Sequence, residues 1–140
     1  MSRISGPLLD RIDIQIEVPA LDFDDLSMTT VPSENSATVR DRVVAARELA
    51  QKRFRSIGKN SKCNAELDTT EIRRFCELDD ACRDVMRMAY DKFGISARGY
   101  DRILRLARTI ADLDGNERIS ADNIAEAVQY RTLDRKYKEV

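Results

Sequence analysis

Ser96-Ala97-Arg98-Gly99-Tyr100-Asp101-Arg102-Ile103-Leu104-Arg105-Leu106-Ala107-Arg108-Thr109-Ile110-Ala111-Asp112-Leu113-Asp114 reads as one amphipathic helix, and that reading decides the fold. Tyr100, Ile103, Leu104, Ala107, Ile110 and Ala111 recur at helical spacing and form one apolar stripe. Arg98, Arg102 and Arg105, at i, i+4 and i+7, make a basic line on the opposite face. Asp101 can pair with Arg105, and Arg108 with Asp112, each at i,i+4. Ser96 precedes the first turn and can cap it. Such a stripe must be covered, so the helix predicts a bundle with others packed against it.

The flanking sequence supplies those helices. Downstream, Gly115-Asn116 turns the chain and Ser120 caps a last helix carrying Ile124, Ala127 and Val128; residues beyond Arg131 extend it or fray. Upstream, Asp79 or Asp80 opens a helix with Cys82, Val85, Met86, Ala89 and Phe93 on one face and Gly94 at its end. Thr69 or Thr70 caps a short helix reaching about Glu77. The first long helix starts near Ser33 or Ser36 and runs to about Ile57, with Gly58 as its stop. Val39, Val43, Ala46, Ala50 and Phe54 are its expected buried stripe.

Residues 20–35 form an acidic linker, with Asp22, Asp24, Asp25 and Glu34, expected to pack only through Leu21, Phe23 and Leu26. Before it, Ile12, Ile14, Ile16 and Val18 alternate with Asp13, Gln15 and Glu17, the period-2 pattern of a half-buried strand that Pro19 ends. The rest of the sequence offers it no partner strand. Ile4-Ser5-Gly6-Pro7-Leu8-Leu9-Asp10-Arg11-Ile12-Asp13 reads as an apolar helix end running into an arginine. The chain is therefore expected to be a C-terminal piece, cut where a larger α/β domain hands over to helices.

A length of 140 residues suits one compact domain, and 42 % hydrophobic residues suffice for a core. The formal net charge of −1 excludes a global basic field that would draw the whole chain onto nucleic acid. There is no run of about eighteen apolar residues and no signal-peptide pattern, so a cytoplasmic protein without membrane contact is expected. Cys63, Cys76 and Cys82 lack CxxC spacing and the chain has no histidine. Reduced thiols and no metal site are expected, and the usual general base is missing. No G-x-x-x-x-G-K-[ST] occurs: Gly58-Lys59-Asn60 lacks the first glycine and the hydroxyl. By itself the chain is not expected to hold Mg–ATP in the P-loop manner or to act as an enzyme.

Arginines are the remaining candidates. Arg98 lies in the first turn of its helix, where its charge opposes the helix dipole by about a few tenths of a kcal/mol. That placement suits an external anion, although periodicity leaves a solvated face equally open. For Arg102 and Arg105 a solvated charged face is the simpler reading. Arg11 stands where a helix end meets a strand, and a guanidinium fork there fits the oxygens of a phosphate; on spacing alone, an ion pair with Asp10 or Asp13 explains it better. Between 40 and 62 there are eight basic residues and two acidic ones. Arg40, Arg47, Lys52 and Arg55 on the outer face of that helix are candidates for contact with DNA or an acidic partner, or form a solvated face.

Taken together, several stretches resemble one family closely. They are Gly6-Pro7-Leu8-Leu9-Asp10-Arg11, then Glu17-Val18-Pro19, then the run from Gly94 to Leu104 with its Ser96-Ala97-Arg98. Ala107-Arg108-Thr109-Ile110-Ala111-Asp112-Leu113 and Ala125-Glu126-Ala127-Val128-Gln129-Tyr130-Arg131 complete the set. The chain resembles the C-terminal part of the magnesium-chelatase-like AAA+ ATPases of the YifB/ComM type, least closely between 20 and 70. The resemblance implies a mainly α fold: a four- to five-helix bundle, the AAA+ lid, preceded by one strand left over from the α/β ATPase core. It divides the chain into the end of the core (1–19), an acidic linker (20–35), the lid (36–131) and a tail (132–140).

The resemblance further implies that Arg11 matches the arginine finger, reaching the γ-phosphate of ATP on an adjacent subunit. Arg98 matches the sensor 2 arginine of the lid, which contacts the nucleotide. The intact protein would then be a ring-forming ATP hydrolase, expected to be hexameric, using ATP and Mg²⁺. Its partners would be its own missing core, neighbouring subunits and DNA, in branch migration during natural transformation. The rival task within the family is metal insertion into a porphyrin. The P-loop, Walker B acids and sensor 1 of the family are absent from this sequence, so no tight nucleotide binding by the piece alone is expected.

Overall fold

The computed structural model describes residues 11–20, 34–60 and 63–131. Among them are five α-helices: α1 (Ser36–Arg55), α2 (Thr69–Phe75), α3 (Asp80–Phe93), α4 (Ala97–Leu113) and α5 (Ala121–Gln129), with a 3₁₀ turn at Asn64–Glu66 between α1 and α2. The architecture is mainly helical, as the sequence predicts. The helix end expected over 4–10, most of the linker and the tail lie outside the described residues.

Each helix begins where a short polar side chain can take a first-turn amide, and which residue does so differs in places from the expectation. Asn35 caps α1, its Oδ1 accepting from the amide of Thr38 at 2.9 Å. Asp68, one residue before the expected threonines, caps α2, and Glu71 reciprocates to the Asp68 amide at 2.9 Å. A carboxylate accepts more strongly than a hydroxyl and also opposes the helix dipole, which favours Asp68 over Thr69. Asp79, Ser96 and Ser120 cap α3, α4 and α5 as expected. Gly94 ends α3 and Gly115 turns the chain after α4, both at positive φ (60° and 71°), where a Cβ would be strained.

α4 is the hub. It packs against α1, the 3₁₀ turn, α2 and α5, and α3 joins the core through α5. Ile103, Leu104, Ala107, Ile110 and Ala111 of its stripe are buried, together with Phe54, Leu67, Ile72, Cys82, Met86, Ile124 and Ala127. Tyr100, expected in that stripe, stays 36 % exposed. Phe54 meets Phe75 edge-to-face with centroids 6.3 Å apart, a geometry that adds about 0.5–1.5 kcal/mol to the burial itself.

Two expectations need correction. The stripe of α1 is buried only from Ala46 onward, through Ala50 and Phe54. Val39 and Val43 are each 39 % exposed, and none of the first ten residues of α1 is buried. And 12–18 forms no strand among the described residues; Ile14, Ile16 and Val18 are exposed. A strand exists only through hydrogen bonds to a neighbour, and no described strand provides one. The segment instead lies on the helices: the Gln15 amide donates to the Tyr130 carbonyl at 2.8 Å, and Arg131 donates to the Ile12 carbonyl.

Candidate functional site

The line of arginines along α4 separates into three fates. Arg105 turns inward and its Nε and NH2 both donate to the Leu67 carbonyl, at 3.0 and 2.7 Å. It therefore fixes the entry to α2 and does not pair with Asp101. Arg102 is largely covered, with 18 % of its side chain exposed, and its NH1 lies 2.9 Å from Oδ1 of Asp13. The expectation of a solvated face fails for both, because the chain wraps over this side of α4 from two directions. Arg98 is exposed and makes no ion pair among the described residues.

Around Arg98 the ends of α3 and α4 form an open groove of about 620 Å³, lined by Tyr90, Ala97, Tyr100, Asp101, Arg102 and Arg105 as well as Arg98 itself. Ser96 closes the first turn by accepting from the Gly99 amide at 3.0 Å. Gly99 is buried beneath this turn; a Cβ there would come within 3.1 Å of Ile95 Cγ2. The groove combines one unpaired guanidinium, two aromatic side chains and a helix N-terminus without an acidic residue in its first turn. Chemically it suits an anion with an organic body. Guanidinium donors fit phosphate oxygens but repel Mg²⁺, and no group of three or more carboxylates or thiols among the described residues is placed to hold a metal.

Arg11 is exposed, and it too has no ion pair among the described residues. Asp13, one of the two partners expected for it, is engaged by Arg102 instead, while Asp10 lies outside the described residues. Since Asp13 is two residues from Arg11, and Arg102 one helical turn from Arg98, one ion pair ties the segments of both candidates to the same end of α4. Reasoning from the sequence did not find this link, because no local spacing connects positions so far apart along the chain.

The basic residues of α1 and of the loop that follows it also separate. Arg42 pairs with Glu34 at 2.8 Å, Arg53 with the buried Asp112, and Lys59 with Glu71 at 2.6 Å and Asp68 at 3.4 Å. Glu71 raises the Lys59 ammonium above its ordinary value, chiefly through that hydrogen bond. Arg40, Arg47, Lys52 and Arg55 are exposed and lack an acidic partner among the described residues; Arg55 bonds only to the Gln51 amide oxygen. Beside Arg47 a groove of about 670 Å³ runs between α1, the 3₁₀ turn and the end of α4.

A cluster that sequence reasoning missed sits at the centre. Asp112 receives both NH1 and NH2 of Arg53, the Asn64 amide at 2.8 Å, and Arg108 at 3.1 Å. Arg108, 1 % exposed, also donates to the carbonyls of Asn116 and Glu117. Burial pulls this guanidinium below its ordinary value and Asp112 holds it up. The i,i+4 spacing announces the Arg108–Asp112 pair, yet only the fold buries it.

Among the described residues no helix is long and apolar enough to cross a membrane. The sequence model of the family described as "Magnesium chelatase, subunit ChlI C-terminal" matches residues 33–131. The chain is 44 % identical over 96 % of its length to a protein of Escherichia coli named YifB. It is 42 % identical over 95 % to the competence protein ComM of Haemophilus influenzae, and 38 % identical over 96 % to YifB of Salmonella typhimurium. It spans about a quarter of the length of these relatives. The match covers α1 to α5, the groove around Arg98 and the central Arg53–Asp112–Arg108 cluster, and on that ground the chain belongs to the magnesium chelatase subunit ChlI C-terminal family.

Proposed function

We propose that this chain is the helical lid of a magnesium-chelatase-like AAA+ ATPase, contributing Arg98 and Arg11 to ATP binding and hydrolysis in a cytoplasmic ring of like subunits. The observation that carries the reading is Arg98: of the three arginines lining the groove along α4, it alone has its guanidinium engaged by neither an ion pair nor a side-chain hydrogen bond among the described residues. Arg98 would contact the phosphates and report nucleotide state to the bundle through α4, the helix on which the core is built. Arg11 would reach the γ-phosphate on a neighbouring subunit and neutralise charge developing there. Mg²⁺ would be held with the phosphates by the rest of the intact protein, for the groove offers it a single carboxylate, Asp101, among three guanidinium groups.

In the full-length protein, Arg11→Ala should cut turnover by roughly 10³–10⁵-fold, the usual worth of such a group, and largely spare ATP binding. Normal turnover would reject the finger role. Arg98→Ala should weaken nucleotide binding or uncouple it from hydrolysis; unchanged affinity and rate would reject the sensor role. The likeness to a competence protein supports a motor acting on DNA, in branch migration during transformation, and DNA-stimulated ATPase activity is the expected readout. Activity that depends instead on a porphyrin-binding partner would favour metal insertion.

A second reading rests on α1. Arg40, Arg47, Lys52 and Arg55 are the basic residues of that helix that no acid neutralises among the described residues, and they suit a phosphate backbone. Binding of DNA should then weaken steeply with salt and need no nucleotide. Loss of salt dependence with no change on Arg47→Glu would reject it.

A further inference from the structure

The segment carrying Arg11 is held against the bundle at three points. Its Asp13 carboxylate meets Arg102 of α4 at 2.9 Å. Its Gln15 amide donates to the Tyr130 carbonyl at 2.8 Å, just beyond α5, and its Ile12 carbonyl accepts from the buried Arg131 at 3.3 Å. Two of these contacts use backbone groups and would accept almost any side chain. The third depends on two particular residues of opposite charge, and Asp13 is the ion-pair partner of Arg102 among the described residues.

The Arg102 contact is unusual for a helix surface. Four-fifths of the side chain is covered and its NH1 is enclosed, with no well-aligned hydrogen bond, so among the described residues the charge of that nitrogen is answered by the half-exposed Asp13 carboxylate. A guanidinium placed this way is expensive to leave without its partner. It therefore selects the position of the segment in which Asp13 is beside it. Arg98 lies one turn earlier on the same helix, and Arg11 two residues before Asp13, so a displacement of α4 reaches both.

We propose that Arg102 is a positioning residue: by holding Asp13, it sets the place of the Arg11 segment relative to the N-terminal end of α4, so that Arg11 and Arg98 move together. The inference rests on the reading of Arg11 as the residue that reaches ATP. A movement of the lid that changes how Arg98 meets the nucleotide then withdraws or delivers Arg11, with the Asp13–Arg102 ion pair as the contact that links the segment to α4 itself. Arg102 would be required without touching the nucleotide.

The test is a series at Asp13 in the full-length protein, Asp13→Glu, Asp13→Asn and Asp13→Arg, with steady-state ATP turnover and nucleotide affinity measured for each. Turnover should be kept in the glutamate variant and fall through asparagine to arginine, reaching a loss on the order of 10²-fold, the scale of a misplaced reacting group. Affinity for ATP should stay unchanged throughout. Hydrogen exchange should show the Gln15 amide losing protection in Asp13→Arg while the amides of α4 keep theirs. Arg11→Ala is the reference. If that variant is inactive while Asp13→Arg turns over normally, the positioning role is overturned and the finger role stands. If Arg11→Ala is fully active, the finger role itself fails and the proposal with it. Unaltered exchange at Gln15 in Asp13→Arg would overturn the clamp independently of any activity.

Discussion

Asp112 shows how much one residue can hold. Its two oxygens accept from Arg53 of α1, Asn64 of the 3₁₀ turn and Arg108 of its own helix, and its side chain is 1 % exposed. Removing it leaves two guanidinium groups buried or half-buried without their shared counter-charge. Asp112→Ala should destabilise the fold by about 3–5 kcal/mol, the usual cost of breaking a buried ion pair from one side, read from urea denaturation. A loss below about 1 kcal/mol would mean that water reaches the cluster and solvates the arginines. By contrast Arg98, with no ion pair among the described residues, should be replaceable by alanine with little effect on stability. That asymmetry separates a residue kept for folding from one available to a ligand.

At the scale of elements, the short helices depend on their ends. α2 has seven residues, too few to persist in water by propensity alone, and its start is fixed by the reciprocal bonds between Asp68 and Glu71. The amide hydrogen bond from Glu71 depresses the Asp68 carboxyl, Lys59 and the Asp68 amide depress Glu71, and the Cys82 amide depresses Asp79 at the start of α3. Each of these groups has a folded value below its ordinary one. Their contribution is therefore complete above ordinary values of 3.8 for Asp68 and Asp79 and 4.5 for Glu71, and is lost as the pH falls through the lower folded values. Thermal melts should thus be flat near neutrality and shift downward below about pH 4.5; Asp68→Asn combined with Glu71→Gln should flatten that acid limb. At the start of α5, Ser120 and Asn123 form a similar reciprocal pair. Ser120→Ala should cost about 1 kcal/mol.

The whole molecule is reported by its thiols. Cys76 and Cys82 lie in the core, where burial pushes each thiol up to about 11, while Cys63 is exposed just before the 3₁₀ turn. A thiolate-specific reagent at neutral pH should titrate Cys63 quickly. Cys76 and Cys82 should follow only at the rate of global opening, and all three should react at once in denaturant. Fast reaction of all three in the native protein would mean that the bundle does not close around α4 as described. The exposed Val39 and Val43 add a second whole-molecule feature: α1 buries side chains only in its second half, through Ala46, Ala50 and Phe54.

The sequence by itself determined the helices, because a period of 3.6 and a capping side chain are local properties. The apolar stripe of α4, the caps at Asp79, Ser96 and Ser120, and the turns at Gly94 and Gly115 were all legible. So were Arg11 and Arg98 as candidates, through their family resemblance. Only the tertiary structure decided the fate of the other charges. Arg102 and Arg105 read as surface residues of an amphipathic helix, Arg53 carried no signal of its own in the sequence, and each is claimed by a group from a distant part of the chain: Asp13, the Leu67 carbonyl and Asp112. Periodicity specifies which face of a helix is apolar, but a charged face can be covered whenever a remote partner satisfies it. The segment over 12–18 makes the same point in reverse: its alternation is local, whereas a strand requires a neighbour whose hydrogen bonds no local pattern can supply.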